Sequence, residues 1–324
     1  MVRFTVLASG SKGNSSIITG GSTRILVDAG LSCRELFRRM ILAGEDPSTL
    51  DAIVITHEHS DHVNGVAVTA RKLGIPVYFT PATHQAWVSQ VTPKHRISYA
   101  SWAESYRQQR DARTAAQAAS AQLDDAEAAP GPEADQPDEE LLDIAAAEQG
   151  TAKPALSALP RVEYFHPGQP FTIGDITVNP FTIPHDAADP VGFVFAAEGA
   201  RLAVATDLGY ISPNVAAQLQ RADLILLESN HDLEMLRDGP YPWAVKQRVL
   251  SRVGHLSNDA AAQFLQETYD GQARWLILGH LSESNNLPEL ARMAAERALA
   301  GRACLLANRL LLASQHAPLH PIDF

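Results

Sequence analysis

Residues 57–62 read His-Glu-His-Ser-Asp-His, three imidazoles and two carboxylates within six positions. Neutral imidazole and carboxylate together are donors suited to zinc, manganese or iron. Just before them, Asp51 to Ile55 is a short apolar run of the kind that forms a buried strand. The cluster therefore falls where a strand ends and the chain turns, and in open sheets that end gathers ligands. Alternation sends His57 and His59 to one side. The following turn swings Asp61 and His62 towards a second position. A polar turn that is merely rich in histidine is the competing reading, and twelve histidines in 324 residues make this spacing rare by chance.

Further candidates sit at later strand ends: His185 after the run 176–181, Asp207 after 201–205, and His280 after 274–278. Taken singly, each is an ordinary polar residue at a turn. Asp28 closes the run 24–27, where a carboxylate can accept a hydrogen bond from a metal-bound imidazole and fix its tautomer. It is equally a common choice before glycine in a turn. The loop Ser9 to Ser16 is either a hairpin that needs flexible residues, or one whose backbone N–H groups, with Asn14, face an anion. Asn230 and His231 follow the run 224–227 and are either substrate contacts or polar loop residues.

The elements that must position these residues alternate between strand and helix, as in layered α/β architectures. Strands are expected at 2–8, 17–19, 24–27, 51–55 and 76–80, and then at 171–173, 176–181, 191–196, 201–205, 224–227 and 274–278. Helices are expected at 31–42, 63–73, 241–253, from a cap at Ser257 or Asn258 to about 269, and at 288–299. Residues 101–160 interrupt the rhythm. Seventeen of the sixty are alanine, and large apolar side chains are scarce. Such a segment buries too little surface to offset its ordering entropy and reads as a flexible insertion. Its first part, 104–121, has the composition of a transient helix.

The apolar fraction of 45% and charged fraction of 19% are those of a globular protein. No run approaches the ~18 apolar residues of a membrane span. Cys33 and Cys304 are too few for a disulfide framework, so a reduced, cytoplasmic setting is expected. The N-terminal run is short and reads as a strand, not as a secretion signal. Net charge is −11, but 101–160 holds twelve acidic and four basic side chains, which leaves only −3 for the rest. Bulk charge therefore does not exclude a nucleic-acid partner.

The segments LASGSKGNSS, VDAGLS, THEHSDHVNG, PHDAADPVGF, ATDLGY, LESNHD, GHLSN and LGHLSESNN resemble the metallo-β-lactamase superfamily. Within it they resemble the WalJ/YycJ branch of bacterial metallohydrolases, over nearly the whole chain apart from 101–160. The resemblance implies one domain over 1–324, an α/β fold in the form of a four-layer αββα sandwich. It implies two divalent ions, Zn²⁺ or Mn²⁺ with iron also suited, one held by His57, His59 and His185 and the other by Asp61, His62 and His280, with Asp207 bridging. The transfer-RNA 3′-processing endonucleases of the superfamily pair a histidine ahead of the last ligand with a strand-end glutamate. His255 and Glu228 match those positions, which implies that Glu228 orients His255 and that His255 protonates a leaving alkoxide. Asp61 can also orient the attacking hydroxide. The activity implied is a phosphodiesterase or nuclease, a 5′-to-3′ exonuclease on double-stranded DNA in that branch. Two alternatives remain: a thioester or lactone hydrolase, which would not need His255, and a non-catalytic metal-binding regulator.

Overall fold

In strand β1 (Val2–Ala8), Val2, Phe4 and Val6 enter one core while Leu7 enters another. The same alternation holds at β2 (Ser15–Gly20), where Ile18 and Ile17 part, and at β3 (Thr23–Val27), where Ile25 and Leu26 part. In β10 (Ala200–Ala205) and β11 (Leu224–Glu228), Leu202, Val204, Leu224 and Leu226 face inward. Ala203, Ala205, Ile225 and Leu227 face the opposite way. Strands buried on both faces must be apolar at every position, which is why they read as continuous runs.

The computed structural model describes residues 1–92, Glu104, Tyr106, Arg107, Arg110, 157–300 and 309–324. The remaining strands are β4 (Ala52–Val54), β5 (Val77–Phe79), β6 (Val162–Tyr164), β7 (Phe171–Ile173), β8 (Ile176–Thr182), β9 (Val191–Ala197), β12 (Trp275–Gly279), β13 (Leu310–Leu312) and β14 (Ile322–Asp323). They form two seven-stranded sheets, in the orders β14-β1-β2-β3-β4-β5-β6 and β13-β12-β11-β10-β9-β8-β7. Each sheet is antiparallel on one side and parallel on the other. The parallel pairs run β3–β4–β5–β6 in the first and β10–β11–β12–β13 in the second.

One core lies between the sheets, with Phe4, Ile18 and Ile25 packed in one cluster with Phe193, Leu202 and Leu224. Helices cover the outer faces. Leu36 and Met40 of α1 (Cys33–Leu42), Val66 and Ala70 of α3 (Val66–Leu73), and Trp87 of α4 (Pro81–Val91) cover the first sheet. Residues of α5 (Pro213–Leu219), α8 (Asn258–Glu267) and α9 (Pro288–Leu299) cover the second. The result is the four-layer αββα sandwich. Truncating fully buried Leu36 to alanine would cost about 2–5 kcal/mol.

Two expectations shift. The helix expected over 63–73 is two, α2 (Ser60–Val63) and α3, separated at Asn64-Gly65. The helix expected over 241–253 is α7 (Trp243–Val249), which stops where the chain turns back to Gly254. A short α6 (Leu233–Asp238) precedes it, capped by the Asp232 carboxylate on the N–H groups of Glu234 and Met235. Ser257 caps α8 by accepting from the N–H of Ala260.

By internal packing the chain divides into a body, Met1–Val91 with Ala155–Phe324, and a second unit, Thr92–Pro154. The stretch read as an insertion, 101–160, lies outside the described residues except for 157–160 and the helical positions Glu104, Tyr106, Arg107 and Arg110. Cys304 also lies outside them, and Cys33 is a buried free thiol. Among the described residues no helix is long and apolar enough to cross a membrane.

Candidate metal centre

The ends of the parallel strands converge, and three of their corners are turned by residues in left-handed backbone. These are Asp28 after β3 (φ 58°), Asp207 after β10 (φ 60°) and His280 after β12 (φ 55°). A side chain in that conformation costs roughly 1–2 kcal/mol against glycine. Strain of this kind concentrates at functional sites. The turn after β3 is also pressed against the turn that opens α2: a Cβ on Gly30 would lie 1.6 Å from the Asp61 carbonyl oxygen. The Ala29 N–H donates to the His62 carbonyl at 2.8 Å, and the Asn14 N–H to that of Asp61 at 2.7 Å.

Two separate groups of donors result, and a third, Asp207, Glu228, His255 and His280, overlaps the second. In the first, His57, His59 and His185 offer ring nitrogens within 4.8 Å of one another. His185 donates from Nδ1 to the Gly254 carbonyl at 3.1 Å, which leaves Nε2 as the bare nitrogen, 3.2 Å from Nδ1 of His59. Nδ1 of His57 is 3.0 Å from Thr56 Oγ1, and its Nε2 is buried with no hydrogen-bond partner. In the second group, Asp61, His62, Asp207 and His280 meet the same distance limit. His62 donates from Nδ1 to Asp28 Oδ2 at 2.8 Å, so its Nε2 faces Asp207 Oδ2 at 3.2 Å. Thr56 fixes Asp28 in turn, donating from its backbone N–H to Oδ1 and from its hydroxyl to Oδ2.

Nε2 of His280 and Oδ2 of Asp207 are, like Nε2 of His57, buried without a hydrogen-bond partner. Buried polar atoms are ordinarily satisfied. Three orphans aimed into one set of imidazoles and carboxylates fit a divalent cation, whose charge and coordination supply what is missing. Charge divides the two groups. Burial, with the neighbouring charge of His62, pushes His57 well below the ordinary histidine range, and burial lowers His185 too. Burial also acts to lower His62 and His280, but Asp207, with Asp28 and Asp61 around His62 and Asp61 and Glu228 around His280, outweighs it and raises both well above that range. His57 and His185 are thereby favoured as neutral imidazoles. The second group holds protons that a cation must displace.

Beside these groups opens a cleft of about 430 Å³, lined by His59, Asp61, Asp207, His255 and His280 together with Ser11, Ser60, Gln90 and Arg248. His255 places Nδ1 2.9 Å from Oε1 of Glu228. Glu228 is fully buried at the end of β11, and its carboxylate meets four donors. Oε1 also takes Nδ1 of His280 at 2.7 Å, while Oε2 accepts the N–H groups of Leu208 at 2.7 Å and Leu256 at 3.2 Å. Burial pushes this acid up, but His255 and His280 outweigh it and hold it down to about 2.

The model of the metallo-beta-lactamase superfamily matches residues 8–245. The chain belongs to that superfamily. It is 32% identical to exodeoxyribonuclease WalJ of Streptococcus pneumoniae over 298 residues, 92% of this chain and 88% of that protein. It is 33% identical to exodeoxyribonuclease YycJ of Bacillus anthracis over 301 residues, 92% and 89% of the two. Among solved structures, the metallo-beta-lactamase fold protein YhfI of Bacillus subtilis superposes with a TM-score of 0.57 over 98% of both chains, at 14% identity.

Within this superfamily fold, every donor singled out in the sequence arrives at one end of the sandwich, and Asp28 lies behind His62. The residues read as substrate contacts lie deeper. Asn14 is 6% exposed, and its amide nitrogen is 3.1 Å from Asp61 Oδ2 and 3.0 Å from His62 Nε2. Asn230 is 5% exposed and gives its amide to the His280 carbonyl at 2.8 Å. His231 is buried with neither ring nitrogen partnered. The loop after β1 does not offer its N–H groups as an anion cradle. Those of Gly10, Lys12, Gly13 and Asn14 go to Asn14 Oδ1, Gln315 Oε1, the Gly10 carbonyl and the Asp61 carbonyl. Only Ser11 of that loop reaches the cleft. Sequence reading missed Thr56, which ties Asp28, His57 and His62 together, and Glu58, whose Oε1 takes the Ala188 N–H at 2.8 Å and holds the His185 loop.

Proposed function

We propose that this chain is a two-metal phosphodiesterase that degrades nucleic acid, with duplex DNA the favoured substrate and 5′-to-3′ exonuclease action the favoured mode. The names of its relatives support the substrate class. His57, His59 and His185 would hold one divalent ion and Asp61, His62 and His280 the other. Asp207 would serve both, since its charge bears on His57 and His185 as well as on His62 and His280. Zinc, manganese and iron all suit these donors. When bound, such a pair activates water near neutral pH and offsets charge on phosphoryl oxygens.

The protein's own residues do the rest. Asp28 and Glu228 fix the tautomers of His62 and His280 and turn Nε2 of each towards the site. Asp61, on the cleft wall, accepts a hydrogen bond from the attacking nucleophile and orients it. His255 supplies a proton to the departing oxygen. The observation that carries this reading is the placement of His255: it lines the cleft, and Glu228 occupies its Nδ1, so Nε2 is left for the substrate. The reading includes a cytoplasmic setting and treats 101–160 as an insertion not needed for the chemistry. The test is product analysis on 5′- and 3′-labelled duplex DNA and RNA, with Zn²⁺ and Mn²⁺ separately. Cleavage of a thioester or lactone with no phosphodiester cleavage would overturn it.

A further inference from the structure

Arg248 is the one arginine or lysine among the cleft-lining residues. It stands in the last turn of α7, with its side chain 58% exposed. Its Nε donates to Oδ2 of Asp186, and it makes no other hydrogen bond to a described residue. Asp186 follows His185 directly, and its Oδ1 lies 3.5 Å from Nε2 of His185. The two segments are tied a second time through the backbone, because the Asp186 N–H donates to the Val253 carbonyl at 3.0 Å.

The same turn sets the distance to His255. The His255 N–H donates to the Val249 carbonyl at 3.0 Å, and a Cβ at Gly254 would lie 2.2 Å from that oxygen. The end of α7 is therefore fixed between the His185 loop and His255. An arginine clamped through Nε keeps its planar fork, whose remaining N–H groups match a pair of phosphate oxygens. The other charged groups on the cleft wall include the carboxylates Asp61 and Asp207, in a chain of net charge −11. A fixed cation there would favour a polyanionic substrate over these carboxylates.

We propose that Arg248 is the phosphate-recognising residue of this cleft, held by Asp186 so that its free N–H groups engage a non-bridging oxygen of the substrate phosphodiester. This rests on the phosphodiesterase reading, and the test separates the two. Metal-loaded protein, freed of excess ion, is titrated calorimetrically with inorganic phosphate. Duplex DNA hydrolysis is measured alongside, and elemental analysis checks metal content.

Arg248→Ala and the similarly sized, uncharged Arg248→Gln should weaken phosphate binding roughly 10- to 100-fold with metal content unchanged. Arg248→Lys should fall between, since it keeps charge but loses the fork. On DNA the loss should appear mainly in KM, and Asp186→Asn should shift KM in the same direction. Wild-type phosphate affinity in Arg248→Ala and Arg248→Gln, with DNA still cleaved, overturns this inference and leaves the nuclease reading standing. Phosphate binding that depends on Arg248 in a protein that cleaves no nucleic acid does the reverse. Absence of phosphate binding by the wild type also overturns the inference.

Discussion

The buried carboxylate of Glu228 holds Nδ1 of His280 at 2.7 Å, and the same oxygen takes Nδ1 of His255 at 2.9 Å. One carboxylate thus orients both a candidate metal donor and the candidate proton donor. The sequence pattern ties Glu228 only to His255. The pairing with His280 depends on two strands, β11 and β12, lying side by side with Glu228 opposite Gly279.

Glu228→Gln should therefore do more than slow proton transfer. An amide at this position keeps an acceptor but loses the charge that holds His280. We expect metal affinity to fall about 10- to 100-fold, read by competition with a chromophoric chelator. Unchanged metal affinity with reduced turnover would mean that Glu228 serves His255 alone.

His255→Ala should separate leaving groups. A sugar alkoxide departs poorly without a proton, whereas p-nitrophenolate needs little help. The loss should be on the order of 10²-fold or more on DNA and much smaller on bis-p-nitrophenyl phosphate. Metal content should be unchanged. Loss of metal in this variant would make His255 a ligand, and equal losses on both substrates would make it a positioning residue.

Metal binding should release protons and strengthen as pH rises. Asp207, with Asp61 and either Asp28 or Glu228, raises His62 and His280 well above the ordinary histidine range, so both are protonated in the metal-free protein at neutral pH. Their contribution to stability is fully present below the unfolded histidine value and is lost as pH rises through their raised folded values. Metal-free protein should therefore melt lower as pH climbs through that window, while metal-loaded protein should not. Calorimetric titration in buffers of different ionisation enthalpy counts the protons, and a count of zero would contradict this charge balance.

Gly30→Ala should damage the site from outside the donor set. Its Cβ would sit 1.6 Å from the Asp61 carbonyl oxygen, so either the turn after β3 or the start of α2 must move. We expect a loss of at least about 1–3 kcal/mol in denaturant unfolding, together with weakened metal binding. A variant with wild-type stability and metal affinity would show that the turn has slack.

Much of this was legible in the chain. His57, His59, Asp61 and His62 announce themselves because their spacing is local, and continuous apolar runs such as 224–227 mark buried strands directly. The bounds of α9, Pro288–Leu299, coincide with the expected helix because proline opens it and helical spacing fills it. What stayed hidden is non-local. Thr56 stands at the head of the histidine cluster with no role assigned to it until it meets Asp28 and His62. Arg248 reads as the solvated face of a helix until Asp186, 62 positions away, is beside it. Short strands such as β6, β13 and β14 carry too few residues for alternation to register, and the hydrophobic pattern of 241–253 does not reveal that the chain turns after Val249.

The left-handed corners at Asp28, Asp207 and His280 have a consequence for how such a chain changes over time. At each, glycine would relax the backbone by roughly 1–2 kcal/mol while deleting a group the site uses. At Asp207 the same change also removes a buried charge. The relief is offset by what each side chain holds: glycine at 28 would strand the Thr56 N–H and His62 Nδ1, and glycine at 280 would leave Glu228 without one of its donors. Each strained corner is therefore locked in by its buried partners, and these corners resist change with or without metal.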